Sequence, residues 1–147
     1  MTSLISLALY YQFIYKEIKM NNIPLTSLFA SLFTIFYLFL SFRIGYLRGK
    51  HAQKKVTAIK LDRNVRAHGN FSEYVPLFLI LLYIFESVDL ISFKYLLIIC
   101  LVFSYGRVAH AICFAFYDYN PFLRISGMVS TYLGLALLSI LLLLSIV

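Results

Sequence analysis

Residues Arg63–Pro76 read RNVRAHGNFSEYVP and stand where a basic stretch meets the apolar run LFLILLYIF. Arg66, Asn70 and Glu73 are spaced i, i+4 and i+7, so a helix places them on one face. Charged groups at the mouth of an apolar span are costly, and they are usually paired or functional. The stretch therefore predicts a helix that enters a membrane with a polar site, although snorkelling side chains at the interface give the same pattern.

The composition excludes an ordinary soluble domain. Of the 147 residues, 62% are hydrophobic and only 13% are charged, whereas about 25% charged residues is typical of globular proteins. Apolar stretches predict an all-α membrane protein, a bundle of four transmembrane helices near 23–47, 62–87, 93–117 and 123–146. Residues 23–147 are expected to form a single membrane domain, and residues 1–22 an N-terminal extension or an interfacial helix.

The formal net charge of +7 comes from one window of the chain. Residues 43–66 contain eight cations and one anion, while cations and anions balance elsewhere. A basic segment between two spans predicts a polar cytoplasmic loop at 48–60, with both termini on the opposite side of the membrane. The same charge predicts contact with anionic lipid head groups. No nucleic-acid partner is expected, because no folded basic domain accompanies the charge.

The third apolar stretch contains the segment GRVAHA, with a charge inside the span. A lone arginine at this depth is expensive, so Arg107 is expected to have a partner. Glu73 is the only acid at a comparable depth, which predicts a salt bridge between Glu73 and Arg107, either within one subunit or across an interface. A pair of this kind can also serve only to stabilise the bundle.

The two cysteines, Cys100 and Cys113, are predicted to be buried apolar residues. A helix separates them by roughly 20 Å, which is too far for an intrachain disulfide. The sequence contains no CxxC motif and no metal-ligand spacing, so no metal site is expected.

Together, RAHGNFSEYVP and GRVAHA resemble the MAPEG family, the membrane-associated proteins in eicosanoid and glutathione metabolism. The resemblance extends from about residue 23 to the C-terminus. Its nearest likeness is to short bacterial members related to microsomal glutathione transferases. It implies a homotrimer in the bacterial inner membrane, with glutathione bound between subunits near the cytoplasmic face.

The resemblance also implies roles for particular residues. Those that match the family's glutathione contacts are Arg66, Asn70, Glu73, Arg107 and His110. A tyrosine is common seven residues after the family's third-helix arginine; here that position is Phe114, and Tyr117 is the candidate substitute one turn later. Arg124 matches the catalytic arginine, with one residue inserted before it, and Ser126 is the candidate catalytic serine. Gly69 replaces a polar residue common in the eicosanoid enzymes, so the resemblance does not support prostaglandin or leukotriene synthesis.

The predicted function is that of a glutathione-dependent membrane transferase or peroxidase acting on lipophilic electrophiles. Glutathione is then the co-substrate, and Arg124 stabilises its thiolate. Arginine suits the carboxylates of glutathione, but the same cluster also fits other small anions. The alternative is a non-catalytic lipid- or glutathione-binding protein of the same fold, and a third reading is a purely structural membrane protein. The sequence leaves open whether the chain is an enzyme.

Overall fold

Four helices account for nearly all of the chain that the structure, a computed structural model, describes, namely residues 24–117 and 120–146. They are α1 (Leu25–Ala52), α2 (Ala58–Val88), α3 (Phe93–Phe116) and α4 (Pro121–Ile146). No strand occurs in these ranges, and each helix is long and apolar enough to cross a membrane. The all-α, four-helix prediction is therefore confirmed, and the protein is an integral multi-pass membrane protein. The expectation for residues 1–22 lies outside the described ranges.

The predicted polar loop at 48–60 is mostly helical, which corrects the sequence-based boundaries. α1 continues to Ala52 and α2 begins at Ala58, so only residues 53–57 connect them. A Schellman-type ending stops α1, since Lys54 adopts a left-handed φ of 57° and the Lys55 N–H donates to the Lys50 carbonyl at 2.9 Å. An apolar run in the sequence marks only the part of a helix that lies in the hydrocarbon core. The length of a helix that extends beyond the core is therefore underestimated from hydropathy.

Aromatic rings fill the centre of the bundle. Phe78 on α2 and Phe103 on α3 stack with their centroids 3.8 Å apart, and both are fully buried. Phe33 on α1 meets Phe103 and Phe71 edge-on, each at 5.9 Å. Lipid tails are as apolar as these rings, so close van der Waals packing rather than hydrophobicity favours their burial.

At the end of the bundle away from residues 53–57, α2 caps α1. The Glu86 carboxylate accepts hydrogen bonds from the backbone N–H groups of Leu25 and Thr26, the latter at 2.9 Å. Both are among the first N–H groups of α1, which have no acceptor within their own helix. A carboxylate at this position also complements the positive end of the helix dipole. Glu86 thus fixes the two helices in register.

A close helix–helix contact joins α3 and α4 through glycines. A Cβ added at Gly106 would lie 2.7 Å from the Thr131 backbone nitrogen and 2.8 Å from the Gly127 carbonyl oxygen. A Cβ added at Gly127 would lie 2.9 Å from the His110 nitrogen. Small residues at such crossings allow two backbones to approach closely in a membrane. This contact places the third-helix motif directly against α4.

Gly106→Ala is expected to destabilise the protein by about 1–3 kcal/mol, because backbone atoms of α4 occupy the space of the new methyl group. The measurement is thermal unfolding in detergent, followed by circular dichroism. Gly45→Ala is the matched control, since no described atom outside its own helix backbone and chain neighbours lies within 4 Å of its added Cβ, and it should stabilise α1 by up to about 1 kcal/mol. Equal melting temperatures for the two variants would contradict the proposed contact.

Candidate functional site

The ends of α1 and α3 and the starts of α2 and α4 meet at one end of the bundle, here called the basic end. Arg43 of α1 joins three of these helices there. Its Nε donates to Asn64 Oδ1 on α2 at 2.7 Å, and its Nη2 donates to the Ala115 carbonyl on α3 at 2.8 Å. The guanidinium carbon also lies 4.0 Å from the centroid of the Phe116 ring. Sequence reasoning counted Arg43 only as a loop cation and missed this role, although a charge inside an apolar run was the available signal.

Arg107 is only 2% exposed, and α4 provides its main partner. Its Nε donates to Thr131 Oγ1 at 2.8 Å, and its Nη1 donates to the Asn70 carbonyl at 3.1 Å. The guanidinium carbon lies 4.7 Å from the Tyr74 ring centroid, a cation–π contact. The buried Nη2 has no hydrogen-bond partner among the described residues. The arginine therefore ties α2, α3 and α4 together and keeps one unused donor.

The predicted salt bridge between Glu73 and Arg107 does not form within the subunit. Glu73 is exposed on α2, whereas Arg107 is buried against Thr131. The Thr131 hydroxyl, next to the glycine contact, is nearer to Arg107 than the Glu73 carboxylate on the outer surface. The sequence indicates only the approximate depth of a residue in the membrane, and this depth does not show which of the two acceptors Arg107 reaches. A pair across a subunit interface remains a prediction.

The three polar residues of the first motif share the outer surface of α2, as their spacing predicted. Arg66 Nε pairs with Asp62 Oδ2 at 2.9 Å, the only salt bridge among the described residues. Asn70 is half-buried and donates from Nδ2 to the Arg66 carbonyl at 2.9 Å. Glu73 follows one turn later and is exposed. Two charges and an amide thus face outward where α2 enters the apolar part of the bundle.

A second polar group surrounds the Phe114 ring near the end of α3. The His110 ring lies 4.8 Å from it, and His110 is only 3% exposed. The guanidinium carbons of Arg63 and Arg124 lie 5.5 and 5.7 Å from the same ring. Sequence reasoning did not single out Arg63, although residues three apart on a helix are neighbours and Arg63 therefore lies next to Arg66 on α2. Within one subunit, Arg124 therefore meets Arg63 at this ring.

The two remaining predicted residues are less closely associated with Arg124. Ser126 hydrogen-bonds through Oγ with the Tyr105 hydroxyl at 3.1 Å and with the Phe122 carbonyl at 2.7 Å. Residues two apart on a helix point in nearly opposite directions, so Ser126 faces α3 rather than the Arg124 guanidinium. Tyr117 has an exposed ring, and its backbone carbonyl accepts a hydrogen bond from Arg63. Cys100 and Cys113 are free and buried, as expected.

The model of the MAPEG family matches residues 26–144, which cover all four helices and both sequence motifs. The chain therefore belongs to the MAPEG family, whose members generally use glutathione and are oligomeric. No curated protein and no solved structure matches the chain. Family membership supports a membrane function in glutathione-related or eicosanoid-type chemistry in general terms.

Thr131→Val is expected to lower stability by about 1–3 kcal/mol, because it removes the acceptor of the buried Arg107 Nε without changing the side-chain volume. Thermal unfolding in detergent provides the measurement. Thr34→Val is the control, since Thr34 is exposed on α1 and its side chain makes no hydrogen bond to a described residue. If both variants melt at the temperature of the unmodified protein, Thr131 is not the principal partner of Arg107.

Proposed function

We propose that this protein is a glutathione-dependent membrane transferase or peroxidase that acts on lipophilic electrophiles dissolved in the bilayer. The observation that carries the proposal is the family match over residues 26–144, which includes both motifs. The arrangement of the first motif supports it further, since a cation, an amide and a carboxylate share the outer face of α2. Glutathione has complementary groups, namely two carboxylates, an ammonium group and amides.

The outer face of α2 is the proposed glutathione-binding surface. Arg66 would bind a carboxylate through its guanidinium, Glu73 the ammonium group, and Asn70 a peptide amide. All three lie on one helix face, and the two charged side chains are exposed in the single subunit. Exposed charges at the edge of hydrocarbon are costly, so a neighbouring subunit that covers them is favourable. We therefore propose a homotrimer that binds glutathione between subunits.

Arg107 and His110 are proposed to support the glutathione-binding surface from the interior of the bundle. Arg107 holds the Asn70 backbone carbonyl at 3.1 Å, which orients the residue that would contact the tripeptide. Its unused Nη2 donor suits an acceptor atom of the ligand or of a neighbouring subunit. His110 supports the ring of Phe114, which in turn contacts Arg124. Tyr117, with its exposed ring, is proposed as a further contact at the mouth of the site.

Arg124 is the proposed catalytic residue. A thiol is mostly protonated at neutral pH, and a guanidinium beside it favours the thiolate that attacks an electrophile. Arg124 is exposed at the first turn of α4, where a bound tripeptide can reach it. Because Ser126 is hydrogen-bonded to Tyr105, we assign it the role of holding α4 against α3 rather than of assisting the thiolate.

The proposed orientation places the basic end in the cytoplasm of a bacterium and the chain in its inner membrane. Lys50, Lys54, Lys55 and Lys60 cluster around the turn at 53–57, which supports this orientation by the positive-inside rule. Both chain termini would then lie on the opposite side. Glutathione is abundant in the cytoplasm, so the proposed site would lie on the side of the membrane where its substrate is available.

Arg124→Ala is expected to reduce turnover of glutathione with a generic aryl halide by roughly tenfold to a hundredfold, because each unit of thiol pKa is worth a factor of ten. Glutathione affinity should fall less than the rate. The ultraviolet absorption of the bound thiolate gives a direct readout, and it should be lost in the variant.

Arg48→Ala is the matched control, since Arg48 is an exposed cation at the same end and has no proposed role in the site. It should retain both the thiolate absorption and the rate. If the unmodified protein binds glutathione without developing thiolate absorption, the transferase proposal fails. The observation would instead favour a non-catalytic binding protein of this family.

A further inference from the structure

A cavity of about 250 Å³ lies between the start of α2, the end of α3 and the start of α4. Arg63 and Arg124 both line it, and their guanidinium groups lie over the Phe114 ring. None of its lining residues in the described part of the chain has a carboxylate. Two like charges around one small cavity repel each other, and an anion between them adds two attractions that offset this repulsion.

Arg63 is held in place by the backbone of α3. Its Nη2 donates to the Cys113 carbonyl at 3.2 Å and to the Tyr117 carbonyl. All side-chain hydrogen bonds of Arg63 to described residues involve this one nitrogen. Because the Arg63 guanidinium is held through Nη2, the direction of its other N–H groups is fixed. Little further side-chain entropy is therefore lost when these groups bind a ligand.

The mouth of the cavity is apolar as well as basic. Ile125 lines the cavity and is 62% exposed, and Phe122, three residues earlier on α4, is 72% exposed. From the length and composition of α4, these side chains are expected where the helix begins to cross the membrane and head groups give way to acyl chains. A ligand for this cavity is therefore expected to carry an anionic head and an apolar tail.

We infer that the cavity binds the phosphate head group of an amphiphile, whose acyl chain follows α4 from Phe122 and Ile125. The oxygens of a phosphate can accept N–H groups from Arg63 and Arg124 at once. The lysines around residues 53–57 raise the local concentration of anionic lipid at this end. Membrane phospholipid and free phosphate share this chemistry, and the exposed apolar side chains favour the lipid.

This site is distinct from the proposed glutathione surface on the outer face of α2. The two share only Arg124, whose guanidinium has five N–H donors and can serve a head group and a thiolate on different edges. Lipid binding itself requires no glutathione, so it can be measured independently of the proposed enzymatic function.

The test uses dodecyl phosphate and the purified protein in neutral detergent without glutathione, with native mass spectrometry to count bound molecules. About one dodecyl phosphate per subunit is expected at saturation, and inorganic phosphate should bind at least tenfold more weakly, because it lacks the apolar chain. Arg63→Gln should weaken dodecyl phosphate binding by roughly tenfold to a hundredfold. Arg48→Gln removes the same charge from an exposed site at this end and should change the affinity by less than about twofold.

A second variant covers the case in which Arg63→Gln weakens the fold, since Arg63 also joins α2 to α3. Ile125→Glu leaves both arginines intact and brings a carboxylate to the mouth of the cavity, and it should weaken binding similarly. Equal affinities of the Arg63→Gln and Arg48→Gln proteins would overturn the inference. Inorganic phosphate binding as tightly as dodecyl phosphate would reject the lipid, and displacement by glutathione would reassign the cavity to glutathione.

Discussion

The burial of the Arg107 guanidinium is the constraint on which the arrangement of three helices depends. A charge inside a membrane span has to find its partners within the protein. Arg107 finds a hydroxyl on α4 and a carbonyl on α2, at 2.8 and 3.1 Å. The hydroxyl is within reach only because Gly106 and Gly127 let α3 and α4 approach closely. The glycines, Thr131 and Arg107 therefore belong to one contact between α3 and α4, and Arg107 links this contact to the Asn70 carbonyl on α2.

The sequence predicted the number and type of helices because twenty consecutive apolar residues have few alternatives to a membrane helix. It predicted the α1–α2 connection poorly, since capping by Lys54 and Thr57, rather than hydropathy, determines where these helices stop and start. It also selected Glu73 as the partner of Arg107, because an acid is conspicuous in an apolar sequence and a threonine is not. The glycine contact that favours Thr131 depends on the crossing of two helices and has no local signature.

The polar residues of the basic end divide into two groups that spacing alone did not separate. Arg66, Asn70 and Glu73 face outward from α2, whereas Arg63 and Arg124 meet over Phe114 within the subunit. One turn of α2 separates the arginines of the two groups, yet Arg66 is exposed on the outer face and Arg63 lines a cavity. A tripeptide on the outer face and an anionic head group in the cavity would thus approach Arg124 from different sides.

Phe114 shapes the chemistry available to Arg124. A tyrosine at this position would offer a hydroxyl to a thiolate, whereas the phenylalanine ring offers only its face to the neighbouring cations. The stabilisation of a thiolate would then come from the Coulombic field of Arg124 alone. Such a field is weak while the side chain is exposed to water, as it is in the single subunit, and it strengthens when solvent is excluded. Exclusion of water from Arg124 by a neighbouring subunit is therefore a physical condition for the proposed catalysis.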